Sequence, residues 1–188
     1  MRTRVLIGMV MLGLVLGSWW WMRPERLLGE DKKAESAFSS ETIDLGICVS
    51  NIEKSAEFYK AIGFTEQEPF GVPADFAAEA GLTDRKPLKI RVFTLGKEKT
   101  ATKIKLMQVE GTNPKASDNA FIHSQLGIRY LTVFVTDMNA AMDRLKKANV
   151  TALGRAPHPL PKGLPEGVFL TVFRDPDGNL IEFVGPKK

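Results

Sequence analysis

The chain has 188 residues, 44% hydrophobic and 26% charged, which are ordinary globular proportions; the 148 residues from Glu41 onward suffice for one well-buried domain. The formal net charge of +4 is small, and residues 41–188 hold 20 basic against 18 acidic residues. Without a stripe of basic and aromatic side chains, that balance argues against a nucleic-acid surface. Cys48 is the only cysteine, so an internal disulfide and a cysteine-based zinc site are both excluded, and a lone cysteine in a strand reads as a small buried apolar residue.

In chain order, Arg2 and Arg4 precede an uncharged stretch, Val5 to Met22, that Arg23, Glu25 and Arg26 end. Eighteen helical residues would span about 27 Å, close to a bilayer core. Two readings stay open for residues 1–23: a signal peptide cut near Gly17-Ser18, or a transmembrane helix kept as an anchor with Trp19-Trp20-Trp21 at the interface. Both place the domain outside the cytoplasm, either held at the inner membrane or secreted and periplasmic. Residues 24–42 read as a polar tether. Ile43–Val49 predicts a strand. Asn51 is a good N-cap for a helix over 52–62, whose Ile52, Ala56, Tyr59 and Ile62 share a face and which Gly63 closes. Phe64–Phe70 predicts a strand, Val72–Leu82 a short helical excursion, and Leu88–Leu95 with Thr102–Val109 a hairpin around Gly96-Lys97. A linker follows, with one short helix expected around Ala120–Leu126.

The plan then repeats. Val49-Ser50-Asn51-Ile52 returns in kind as Val135-Thr136-Asp137-Met138, and Gly63-Phe64 as Asn149-Val150, both at an offset of 86 residues. Ile104-Lys105-Leu106-Met107 is echoed by Ile181-Glu182-Phe183-Val184. Ile128–Val135 predicts a strand, and Asp137 caps a helix with Met138, Ala141, Met142, Leu145 and Ala148 on one face. Val150–Arg155 predicts a strand. A proline-rich loop, 156–167, reads either as a lid or as a surface excursion. Val168–Arg174 and Leu180–Val184 are strands joined by Asp175-Pro176-Asp177-Gly178-Asn179, a turn and nothing else on this reading. The repeat implies one α+β domain built from two βαβββ units, module one over 43–110, a linker over 111–126 and module two over 127–186, with any site where the units face each other.

Ser55-Ala56-Glu57-Phe58-Tyr59 before Gly63-Phe64, together with Asp175-Pro176-Asp177-Gly178-Asn179-Leu180-Ile181-Glu182, resembles the vicinal oxygen chelate superfamily, which holds glyoxalase I, the bleomycin-resistance proteins and the extradiol dioxygenases. The resemblance covers residues 43–186 and implies the same paired-module fold. It also implies that a divalent metal, where a member binds one, would be held at positions that are here Asp44, Lys105, Tyr130 and Glu182. Only Glu182 keeps the family's residue type. Protonated lysine has no lone pair for a metal, and a phenol is a poor ligand for Mg²⁺, Zn²⁺ or Ni²⁺. Neither His123 nor His158 falls on a ligand position. No cofactor is therefore expected at this degenerate set, and Lys105 is expected to take the cation's place by pairing with Glu182, with Asp44 nearby.

Strand parity adds Cys48 to the face of Asp44, Met107 to that of Lys105, and Thr132 and Phe134 to that of Tyr130. A lining of apolar walls, a phenol, an ammonium and carboxylates suits a small polar or aromatic ligand. Three functions follow as alternatives: metal-independent ligand binding; an enzyme of lyase, isomerase or dioxygenase type with Tyr130 as acid and Glu182 or Asp44 as base; or a non-catalytic interaction module. The resemblance also leaves open a homodimer in which a second copy of the chain contributes to the site.

Overall fold

The computed structural model describes residues 38–39, 42–98 and 100–188. The expected signal or anchor over 1–23, and the tether over 24–42 except for 38–39 and 42, lie outside the described residues. Among the described residues no helix is long and apolar enough to cross a membrane. Ser40–Lys188 is one compact unit.

Module one begins with strand β1 (Leu45–Cys48) and helix α1 (Ile52–Ala61). The Asn51 side chain accepts the Lys54 N–H and caps the helix, and Gly63, at φ 116°, turns the chain out of it. The strand expected over Phe64–Phe70 is instead two pieces, β2 (Thr65–Glu66) and β3 (Phe70–Val72). Both pair antiparallel with β4 (Leu88–Thr94), Glu66 opposite Phe93 and Phe70 opposite Ile90. One extra residue therefore sits on the β2–β3 side, and Pro69 withholds an N–H there, so the ladder breaks as at a bulge. Helix α2 (Ala74–Glu79) fills part of the expected excursion, and β5 (Lys103–Val109) completes the hairpin with β4.

The linker carries a single 3₁₀ turn at Ile122–Ser124. Module two repeats the order with β6 (Tyr130–Phe134), α3 (Met138–Lys147), β7 (Ala152–Pro159), β8 (Val168–Arg174) and β9 (Leu180–Pro186). Strand β7 runs through Pro157 and Pro159, which the sequence had placed in a loop. It lies at the sheet edge, where a missing N–H costs no ladder bond, and its register shifts between Leu153 and His158. In each sheet the module's first strand pairs parallel with its last: the orders are β1-β5-β4-β2 and β6-β9-β8-β7. Gly185 of β9 is required by close approach. A Cβ there would stand 2.0 Å from the Val135 carbonyl oxygen.

One core serves both modules. The helix-packed faces contribute Ile104 and Leu106 from one sheet and Ile181 and Phe183 from the other, around Ile52, Ala56 and Tyr59 of α1 and Met138, Ala141 and Leu145 of α3. Phe58 reaches Phe173 at 6.4 Å between ring centroids, and Phe173 meets Phe183 edge-on at 4.7 Å, so aromatic contacts cross the module boundary. The Asp175–Asn179 turn does more than turn. Buried Asp175 accepts hydrogen bonds from Tyr59 Oη (3.3 Å), Asn179 Nδ2 (2.8 Å) and the Asp177 and Asn179 N–H groups. Asp177 accepts from the Ser50 N–H (3.2 Å) and Ser55 Oγ (3.4 Å). The last turn of module two is thus a latch onto α1 of module one, which corrects its reading as a simple turn.

Candidate functional site

Strand alternation sends Ile104 and Leu106 into the common core and Lys105 and Met107 to the other face of the same sheet. The face away from the core is therefore the candidate site face of each module. In module one the register sets its residues in rows. Asp44 lies beside Lys103, whose N–H donates to Asp44 Oδ1 at 3.2 Å, and Lys103 stands opposite Thr94, itself opposite Thr65. The next row holds Gly46, Lys105 and Val92, with the Gln67 N–H on the Val92 carbonyl. The third holds Cys48, Met107, Ile90 and Phe70.

Lys105 Nζ pairs with Asp44 Oδ2 at 3.0 Å. The expected partner, Glu182, is instead on the other sheet, where Oε1 accepts from Thr132 Oγ1 at 2.5 Å. The reason is topological. Both sheets turn their helix-packed sides to one core, so each site face closes only on its own module, and β1 lies next to β5 just as β6 lies next to β9. The Lys105 ammonium, assisted by the Lys103 N–H, holds the Asp44 carboxyl below its ordinary range. A carboxylate so stabilised is a weak base, which counts against Asp44 as a proton acceptor.

A cavity of about 630 Å³ opens over the first two rows, walled by Asp44, Thr65, Gln67, Thr94, Lys103 and Lys105, with Phe70 and Val92 on its apolar side. Its polar depth includes Thr94, only 7% exposed, whose Oγ1 accepts from Gln67 Nε2 at 3.1 Å. Met107 does not line it. Its side chain lies over Gly46 and packs against a second small core in which Ala77 of α2 covers Leu88, Ile90 and Val92. Cys48 is exposed, not buried as a lone strand cysteine suggests, because β1 is an edge strand. Partial desolvation of its thiol by the neighbouring strand, together with the nearby Asp177 carboxylate, pushes its pKa up, away from thiolate reactivity.

In module two, Tyr130 is 46% and Phe134 80% exposed, and Thr132 is exposed beside Glu182. Neither these four nor any residue of the 156–167 loop lines the cavity at Asp44 and Lys105. Sequence reasoning missed Lys103, Thr65, Gln67 and Thr94. Lys103 was legible by parity, two residues from Lys105. Thr94 follows by the same parity on β4, opposite Lys103, whereas Thr65 and Gln67 depend on the broken β2–β3 ladder.

The donor chemistry does not suit a metal within one chain. Asp44 is committed to an ammonium, Glu182 accepts from a hydroxyl, and the two belong to separate faces. Among the described residues no three His, Cys, Asp or Glu side chains gather at one point.

Two βαβββ modules of matching strand order, sharing one core and turning their other sheet faces away from it, define a paired-module α+β protein. The chain belongs to the glyoxalase/bleomycin resistance protein/dioxygenase superfamily, whose family model matches residues 43–183. Its fold is similar to that of a glyoxalase family protein from Bacillus cereus (17% identity, TM-score 0.66, covering 82% of this chain and 99% of that one). It is also similar to a glyoxylase/bleomycin resistance protein/dioxygenase domain from Frankia (18%, 0.55, 79% and 93%) and to a glyoxalase I variant from Zea mays (16%, 0.59, 78% and 45%). At these identities the likeness is one of fold. No curated protein matches the chain.

Proposed function

We propose that this domain binds a small polar or aromatic molecule without a catalytic metal, at the open cavity over Asp44 and Lys105. The observation that carries the reading is the Lys105–Asp44 ion pair at 3.0 Å, which puts an ammonium where a metal-binding member would present a ligand. The wall composition supports it: apolar Val92 and Phe70 stand among hydroxyl, amide and charged groups. The domain works outside the cytoplasm, a reading supported by the basic start and apolar stretch of residues 1–23.

Module two serves the site through a second copy of the chain. β1 and β6 are both open sheet edges, and Ile128 (82% exposed), Tyr130 and Phe134 form an apolar border beside β6. A homodimer that brings the face of β6 against that of β1 would add Tyr130, Thr132, Phe134 and Glu182 to the cavity.

Metal analysis of the full-length protein, purified without chelator, tests the reading together with thermal melts in Mn²⁺, Zn²⁺, Ni²⁺, Fe²⁺ and EDTA. The expected result is no stoichiometric metal and no shift in Tm. A bound equivalent of metal, or a melt raised by micromolar metal, would overturn it and restore the lyase or dioxygenase alternative.

A further inference from the structure

The linker between the modules turns its backbone inward and its large apolar side chains outward, the reverse of an ordinary surface loop. Arg129 donates from Nε to the Ile122 carbonyl (3.0 Å) and from Nη2 to the carbonyls of Asp118 (2.7 Å) and Phe121 (3.3 Å). Arg174, on β8, reaches the Ala120 carbonyl at 3.3 Å. The N–H groups of Asp118, Ala120 and Phe121 donate to Gln125 Oε1, Asp118 Oδ1 and Ser124 Oγ at 2.9–3.0 Å. Phe121, stacked on His123 at 5.6 Å between ring centroids, is left 66% exposed, Ile122 58% and Leu126 96%. None of the three belongs to either core of the domain. A cover over them would gain apolar burial on a backbone that is already ordered.

We propose that residues 118–126 dock on a lipid bilayer, with Phe121, Ile122 and Leu126 entering the boundary between headgroups and acyl chains. A bilayer offers no hydrogen-bond partner to a backbone that enters it, so such a segment must satisfy its own polar groups, as this one does from Asp118 to Phe121. A protein partner makes no such demand. Charge fits as well. No acidic residue stands between Asp118 and Asp137. At the base of the loop Arg129 and Arg174 are half-buried, and neither forms an ion pair among the described residues, which leaves two guanidiniums for lipid phosphates. The sequence supplies the membrane: uncharged Val5–Met22 reads as a signal or an anchor, and residues 23–41 separate it from Thr42. Fully extended, those residues reach about 65 Å, against a radius of gyration of about 15 Å for the domain. An anchored domain can therefore bring any face to the bilayer, and the loop decides which. The contact is independent of the cavity over Asp44 and Lys105, which none of these residues lines.

The test is the depth of a nitroxide spin label in the full-length protein, reconstituted into vesicles of phosphatidylcholine and phosphatidylglycerol. The label is attached at Leu126→Cys in a Cys48→Ser background, since Cys48 is the only native cysteine. A reference label goes to Leu164→Cys, 52% exposed in the segment before β8, at the end of that strand away from Arg174. The Leu126 label is expected to collide with oxygen in preference to a water-soluble nickel chelate, and the Leu164 label to show the opposite preference. Ile122→Glu is expected to abolish the oxygen preference at the Leu126 label, because a carboxylate would have to enter the same boundary. Thermal melts confirm that each variant is folded. Chelate access at Leu126 equal to that at Leu164 would overturn the proposal. So would an oxygen preference that survives Ile122→Glu, since the label alone would then account for it. Exclusion of both reagents, with broadening that grows with protein per vesicle, would assign the loop to a second copy of the chain and overturn the bilayer contact.

Discussion

Lys105 sits in a pair that is partly open to water, with side-chain exposures of 35% for the lysine and 32% for Asp44. Pairs of this kind contribute little, about 0.5 kcal/mol. Lys105→Met is accordingly expected to cost about that much at neutral pH. The sign with pH follows from the lowered Asp44 pKa. The contribution is present above the ordinary carboxylate range and disappears as pH falls through the depressed value. Urea unfolding of wild type and variant from neutral to acidic pH should show the gap closing at the acid end. Since Glu182 bonds Thr132 and not Lys105 within one chain, the double variant Lys105→Met with Glu182→Leu should be additive with the two single variants at concentrations where the protein is monomeric. A coupling of about 1 kcal/mol or more would restore the cross-module pair.

At the scale of elements, the β8–β9 turn and α1 depend on each other. Asp175 is 5% exposed, and its burial raises the carboxyl above the usual range despite the donors from Asn179 and Asp177. Burial, with the Asp175 carboxylate beside it, also raises the Tyr59 phenol, so Tyr59 stays a donor throughout the working range of pH. Asp175→Ala leaves four donors without their acceptor and should cost about 2–3 kcal/mol at neutral pH. A raised folded-state pKa means that the native protein holds this proton more tightly than the unfolded chain does. Lowering pH through that pKa therefore favours the wild-type fold, and the difference between wild type and variant should widen until the ordinary carboxylate range is reached. A gap that stays constant from neutral pH down to that range, in the same unfolding series, would show that Asp175 titrates normally. The break between β2 and β3 acts at this scale too: by re-aiming the chain around Pro69 it leaves Thr65 and Gln67 on the cavity wall and Phe70 at its apolar end.

For the whole molecule the decisive fact is which faces the two modules use to meet. They share the sides that carry α1 and α3, so the opposite sheet faces point away from the common core, module one's partly covered by α2. In the proposed dimer, Phe134 (80% exposed beside the β6 edge) lies in the contact. Phe134→Glu is expected to shift sedimentation from dimer to monomer and to leave the monomer's fold intact, because Phe134 lies outside the common core. Unchanged sedimentation of a folded Phe134→Glu protein would place any dimer contact elsewhere.

The repeat, the capped helices and the alternation of Ile104, Lys105 and Leu106 were legible from residues alone, because local periodicity and capping chemistry act over a few positions. They yielded the two modules; the positions Asp44, Lys105, Tyr130 and Glu182 came from the family resemblance, and the fold sets two of them on each of two sheet faces. The partners of those side chains were not legible. Whether Lys105 meets Asp44 or Glu182 depends on how two sheets pack, and strand parity gives a face without saying what stands opposite it. The same limit hid the latch, since Asp175 and Asp177 read as turn residues until the fold brings Tyr59, Ser50 and Ser55 to them. By itself the sequence determined the modules and their site faces, through the periods of strand and helix; the tertiary structure alone decided that these faces are separate within one chain, because both sheets must bury their apolar sides in a single core.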